Sequence, residues 1–232
     1  MPRDYAAETA LLSAQGLTFR ADATTLIDID ALSLRAGGPS IILGPNGAGK
    51  SLLLRLLHGL IAPTTGQITG TAARQAMVFQ RPVLLRRSVL ANVTYALRAA
   101  GKPRHRAAAL LAQSKLIHKA RQPARTLSGG EQQRLAVIRA LATEPDVLFM
   151  DEPTSSLDPS ASMAIEALIT AAADTGTKVV MVTHDPAQAR RLGHEVIFLH
   201  HGRVLEQEPA SAFFAAPQTS AARKYLDGGL IL

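Results

Sequence analysis

Gly44-Pro45-Asn46-Gly47-Ala48-Gly49-Lys50-Ser51-Leu52 follows an apolar run, Ile41-Ile42-Leu43, and precedes a leucine-rich helical pattern over residues 53–60. Buried strand, glycine loop, helix is the order that a phosphate-binding loop needs. Glycines let the backbone curl so that several N–H groups point inward. A helix beginning near Gly49 adds the positive end of its dipole. Lys50 can then reach the β- and γ-phosphates, and Ser51 can offer its hydroxyl to Mg²⁺. This loop by itself implies a nucleotide; what the nucleotide serves depends on the rest of the chain.

The 232 residues suit one large α/β domain, or one domain with an insertion. Hydrophobic residues make up 47%, enough for a sizeable core. Aromatics are only 4%, too few for platforms that stack single-stranded bases. The net charge of +7 is compatible with a membrane surface, a nucleic acid, nucleotide phosphates or a plain solvated surface. No block of five or six like charges singles one of these out. Cysteine is absent, which excludes disulfides, thiolate metal sites and a cysteine nucleophile. Residues 1–10 have no apolar core and do not read as a secretory signal. No apolar run approaches 18 residues, so any membrane role is expected to be peripheral.

Residues 11–34 read as short antiparallel strands, with near-alternation at 17–20 and 29–34. Residues 40–43 form the strand into the loop, and a helix over 51–60 ends at Gly59. A second buried strand covers 76–79. Residues 88–113 are helical around a break at Gly101-Lys102-Pro103, residues 114–126 are irregular, and another helix covers 135–142. Residues 81–134 thus read as a helical subdomain inserted into a single domain spanning 1–232. A strand at 147–150 precedes a helix with Asp158 at the N-cap and Pro159 at N1. A strand at 178–182, a helix at 186–192, a hairpin turning at His201-Gly202 and a helical tail over 210–226 complete the chain.

Three apolar strands end in polar residues: Phe79-Gln80, Met150-Asp151-Glu152 and Val182-Thr183-His184. In a parallel α/β sheet, ligands sit at the carboxyl ends of the strands. Asp151 is placed to hold Mg²⁺ together with Ser51. Glu152 beside it can orient and polarise the attacking water. His184 can hydrogen-bond the γ-phosphate and that water, and Gln80 can contact Mg²⁺ or the water. In Leu127-Ser128-Gly129-Gly130-Glu131-Gln132-Gln133-Arg134, the Ser128, Gly129 and Gly130 groups at a helix start offer a second anion site. A head-to-tail dimer, with the loop of one subunit closed by the 128–130 stretch of the other, makes geometric sense of two such sites.

With these residues in view, the chain resembles the ATP-binding cassette family, the nucleotide-hydrolysing subunits of ABC transporters, over residues 11–205. Residues 44–51 match Walker A, Gln80 the Q-loop, 127–132 the signature motif, and 147–151 with Glu152 Walker B and its catalytic glutamate. Ser155-Ser156-Leu157-Asp158 matches the D-loop and His184 the switch histidine. The resemblance implies a P-loop NTPase of ABC-ATPase fold: a RecA-like core, an N-terminal antiparallel β subdomain and an inserted helical subdomain. It implies an ATPase with ATP and Mg²⁺ as nucleotide and metal. Catalysis falls to Glu152, His184, Gln80 and Lys50. Nucleotide binding falls to residues 44–52 with Ser128, Gly129, Gly130 and Glu131, and the metal to Ser51, Gln80 and Asp151.

The resemblance also implies partners: a second copy with ATP between the two, membrane permease subunits and, indirectly, a periplasmic or lipid-anchored substrate-binding protein, with no nucleic acid. The place is the cytoplasmic face of the inner membrane. Two departures stand out. Leu52 replaces the usual threonine, whose hydroxyl touches the α-phosphate. Ala21 falls near the place of the adenine-stacking aromatic, with Phe19 two residues earlier. The stretch Phe79 to Val89 and the tail ending Tyr225-Leu226-Asp227-Gly228-Gly229 are similar to the ATPase subunits of tungstate importers, so uptake of tungstate or a related oxyanion is expected. No C-terminal regulatory domain of the molybdate or sugar importer kind is recognised. Molybdate, phosphate or amino-acid import, and a non-transport ATPase acting on nucleic acid, are the alternatives.

Overall fold

The structure is a computed structural model that describes residues 10–229. The reading of the N-terminus as lacking an apolar leader falls, apart from Ala10, outside the described residues. In chain order the elements are β1 (Ala10–Ala21), β2 (Thr24–Arg35), β3 (Ser40–Leu43), α1 (Lys50–His58), β4 (Thr65–Gly70), β5 (Gln75–Val78), α2 (Val89–Ala99) and α3 (Arg106–Gln113). They continue with α4 (Gly129–Leu141), β6 (Val147–Asp151), α5 (Pro159–Asp174), β7 (Lys178–Thr183), α6 (Pro186–Leu192), β8 (Glu195–His200), β9 (Arg203–Pro209), α7 (Ala210–Ala215) and α8 (Ser220–Leu226). The chain divides into two compact units, one joining the parts before Arg74 and after Thr177, the other being Arg74–Thr177.

In the first unit, β1 pairs antiparallel with β2 and with β4. The alternation expected here is carried by two strands of 12 residues each rather than short pieces. Leu12, Ala14 and Leu17 on β1, and Ile27, Ile29, Leu32 and Leu34 on β2, are buried at near-alternate positions. Residues 65–70 are assigned no strand from sequence, with Ile68 their one large apolar residue; pairing with β1 makes them strand β4. The unit also holds β3, parallel to β7 and to β8, with Leu43 facing Thr183 on one side and Phe198 on the other. All four residues of β3 and all six of β7 are buried, which is why both read as continuous apolar runs. Strand β9 pairs antiparallel with β8, as the hairpin reading expects. The tail is two helices, not one. Pro217 interrupts it, and the amides of Gln218 and Thr219 donate to the buried Glu206 carboxylate at 3.1 and 2.7 Å.

In the second unit, β5 runs parallel to β6, with Val78 facing Met150. Phe79 was expected to close β5 as a buried residue; it lies beyond the strand and is 38% exposed. Residues 81–134 contain α2, α3 and the first turns of α4, all within this unit. Helix α4 begins six residues before the expected 135. Ser128 and Glu131 form a capping box: Ser128 Oγ accepts from the Glu131 amide, and Glu131 Oε2 accepts from the Ser128 amide at 3.0 Å. Asp158 caps α5 through its bond from the Ala161 amide at 2.8 Å, with Pro159 at N1 as expected.

Candidate functional site

The phosphate loop, residues 44–49, runs from the buried end of β3 into α1. Gly44 sits against the end of β8: a Cβ there would lie 2.1 Å from the Leu199 carbonyl oxygen. The hairpin turn supports the loop from the same side, since the Gly202 amide donates to Ala48 O at 2.9 Å. The Gly202 carbonyl in turn accepts from the Asp28 amide at 2.9 Å. This places β2, the loop and the β8–β9 turn in register. Lys50, only 6% exposed, donates from Nζ to the carbonyls of Gly44 and Pro45, each at 2.8 Å. The ammonium is therefore held by the curve of the loop itself, a place from which it could meet an anion bound there. Ser51 and Leu52 follow in the first turn of α1 and are half-buried. His184 is exposed, one residue past β7 and beside Gly44, because Leu43 and Thr183 face each other.

In the second unit Asp151 ends β6 with Glu152 after it, and Gln80 lies two residues past the end of the adjacent β5. Asp151 is 4% exposed. Glu152 takes a left-handed φ of 42°, a conformation costing about 1–3 kcal/mol in a residue with a side chain. Neighbouring bonds hold it: the Ser155 amide and Oγ both donate to Glu152 O, at 3.2 and 3.1 Å. Gln80 Nε2 donates to Ser155 Oγ at 3.0 Å. One serine thus connects the Q-loop amide to the peptide that carries the general-base candidate.

The same unit holds the signature stretch. Gly129 and Gly130 are the first two residues of α4, where amides precede the first intrahelical bond. Gly130 packs on α5, and a Cβ there would lie 2.7 Å from that of Ala161. Glu131 is committed to the cap and to an ion pair with Lys119. The hydrogen bond from Lys119 lowers its pKa further than burial raises it. So Glu131, expected as a binding residue, orders the helix start through its cap and its ion pair with Lys119.

Several supporting residues were not singled out from sequence. Gln133, 2% exposed, donates to Phe79 O at 3.1 Å and anchors the residue before Gln80 to α4. Leu199, Gly202 and Tyr225 contact the phosphate loop from positions more than 140 residues away. Only the Ser128-x-x-Glu131 spacing had a local signal, the capping-box pattern. Phe19 is half-buried and Ala21 exposed, both on β1.

The metal chemistry fits the residues present. Among the described residues no three His, Cys, Asp or Glu side chains group as a metal site. Ser51 in the first unit and Asp151 in the second each carry oxygen donors of the hard kind that Mg²⁺ takes.

A glycine loop at a helix start after a parallel strand, together with a buried aspartate ending the all-apolar run of β6, is the pattern of a phosphate-loop nucleotide hydrolase. Residues 28–155 match the ABC transporter family, and the chain belongs to it. The phosphate import ATP-binding protein PstB 2 of Natronomonas pharaonis is 37% identical, over 95% of this chain and 87% of that protein. The methionine import ATP-binding protein MetN of Leifsonia xyli is 36% identical, over 88% of this chain and 66% of that protein. The structure of cbiO1 from Clostridium perfringens, part of the ABC transporter complex cbiONQ, superposes with a TM-score of 0.80 at 26% identity, covering 90% of this chain and 92% of that one. The fold is therefore the α/β ABC ATPase fold and the activity ATP hydrolysis, with ATP and Mg²⁺ as the family's nucleotide and metal.

Proposed function

We propose that the chain is the ATP-hydrolysing subunit of an importer that takes up an oxyanion, tungstate foremost, through separate permease subunits. The observation that carries this reading is the end-to-end similarity to a phosphate import protein. Phosphate and tungstate are both tetrahedral oxyanions, and the 79–89 and 225–229 stretches support tungstate between them. The methionine relative keeps amino-acid import as the competing reading.

Lys50 and the loop amides hold the β- and γ-phosphates. Ser51, Asp151 and Gln80 would hold Mg²⁺, which would supply positive charge to offset that of the phosphates. Glu152 accepts the proton of the attacking water, and His184 hydrogen-bonds the γ-phosphate. Ser128, Gly129 and Gly130 of a second copy close on the nucleotide. Among the described residues no helix is long and apolar enough to cross a membrane. We place the subunit at the cytoplasmic face, against its permease. The docking candidate is an apolar cavity of about 430 Å³ lined by Phe79, Pro82, Val83, Leu85 and Tyr95 next to the 81–88 stretch. Val83 is 72% exposed there, as a surface covered by a partner would have it.

The test is reconstitution with candidate permease and substrate-binding proteins. Hydrolysis is followed with tungstate, phosphate or methionine supplied. Tungstate is expected to raise turnover about tenfold, a change of about 1.4 kcal/mol in the barrier. Stimulation by methionine alone would replace the oxyanion reading, and stimulation by none of the three would remove the importer reading. The loop departure gives a separate expectation. Leu52→Thr restores the hydroxyl that reaches the α-phosphate and should tighten ATP binding about three- to tenfold, consistent with one hydrogen bond to a charged group. Titration with ATP in the presence of Mg²⁺ measures it, and an unchanged affinity would mean the α-phosphate is held by other groups.

A further inference from the structure

Tyr225, on the last helix, reaches the ends of two strands. Its hydroxyl donates to the carbonyl of His184 at 2.7 Å and lies 3.4 Å from the carbonyl of Gly44. These are the first residues beyond Leu43 and Thr183, which face each other in the β3–β7 pair. A phenol carries one proton, and the short contact takes it. Gly44 O already accepts from Lys50 Nζ at 2.8 Å. One continuous set of contacts therefore runs from the Lys50 ammonium through the Gly44 carbonyl and the Tyr225 hydroxyl to the His184 peptide.

The phenol is itself held in place. Its ring packs on Phe198 of β8 at 5.4 Å between centroids, and Phe198 packs on Phe213 at 5.8 Å. Helix α8 is capped by Thr219, whose amide is bonded to the buried Glu206. His184 is an exposed residue one position past the end of β7. The direction of its side chain depends on how its backbone is held, and a hydrogen-bonded carbonyl restricts rotation of the adjoining peptide.

We propose that Tyr225 is a positioning residue for ATP hydrolysis: its hydroxyl fixes the His184 peptide against the phosphate loop, so that the imidazole meets the γ-phosphate. The proposal rests on the reading of His184 as the γ-phosphate contact. Tyr225→Phe removes the hydroxyl and keeps the ring on Phe198. Phosphate release by the full chain with ATP and Mg²⁺ should show kcat lowered about 5- to 20-fold, the scale of one lost hydrogen bond acting on the barrier, with KM changed less than about twofold.

The discriminating measurement is the same substitution made in a His184→Ala background. If Tyr225 acts through His184, it should have no further effect on kcat there. An equal fold-loss in both backgrounds would overturn the proposal and leave Tyr225 as a helix anchor. Wild-type turnover in Tyr225→Phe, with His184→Ala still impaired, overturns the proposal alone. Full turnover in His184→Ala overturns the reading of the histidine and the proposal with it. Thermal melts of each variant exclude loss through unfolding.

Discussion

Glu152→Gln should stop turnover while leaving ATP binding intact. The substitution keeps the shape of the side chain and removes its capacity to accept a proton. If Glu152 is the general base, kcat should fall by a factor of about 10² to 10⁴, the usual contribution of a positioned base. The fold should not change. Both bonds from Ser155 go to the backbone carbonyl of residue 152, and the Gln80 amide is bonded to Ser155 rather than to the carboxylate. The left-handed φ of 42° is set by that frame and suits glutamine as well as glutamate. Because hydrolysis is what separates the two copies in this reading, ATP should hold the variant as a dimer. Phosphate release, nucleotide titration and size-exclusion chromatography in Mg-ATP measure the three expectations. Normal turnover would remove the role from Glu152, and loss of binding together with turnover would make it a binding residue.

The residues proposed for this chemistry stand out in the sequence because their signals are local. Lys50 and Ser51 belong to one nine-residue stretch, and Asp151 with Glu152 directly follows an all-apolar strand. Strands β3, β6 and β7 were legible because every residue in them is buried. What escaped was non-local. Strand β4 has one large apolar side chain and exists because β1 accepts it. The start of α4 was set too late because Gly129 to Arg134 shows no apolar period, although Ser128 and Glu131 sit at capping-box spacing. Tyr225 meets His184 across 41 residues and Gly44 across 181, a juxtaposition that no spacing rule encodes. Local motifs point to the proposed reacting groups, whereas a contact such as that of Tyr225 with His184 arises only in the tertiary fold.

Gly44→Ala makes the same distinction from the other side. Two glycines of the loop look equivalent in sequence and differ in the fold. At Gly47, with φ of 81°, a Cβ would meet nothing within 4 Å. Gly47→Ala therefore carries only the cost of a left-handed residue, about 1–2 kcal/mol. At Gly44 the same methyl would stand 2.1 Å from the Leu199 carbonyl oxygen, a backbone atom that cannot rotate away. Either β8 or the loop must move, and both are constrained. Leu43 is paired with Phe198 in the sheet, and the Gly202 amide after β8 is bonded to Ala48 O. A shift of the loop also displaces the Gly44 and Pro45 carbonyls that hold Lys50. Gly44→Ala should thus weaken ATP binding at least about a hundredfold, the equivalent of about 2.7 kcal/mol, and lower the melting temperature. Gly47→Ala should cost less than about tenfold in affinity. Nucleotide titration and thermal unfolding of the two variants side by side measure the difference. Equal losses would mean that loop curvature alone, and not its seat against β8, sets the affinity.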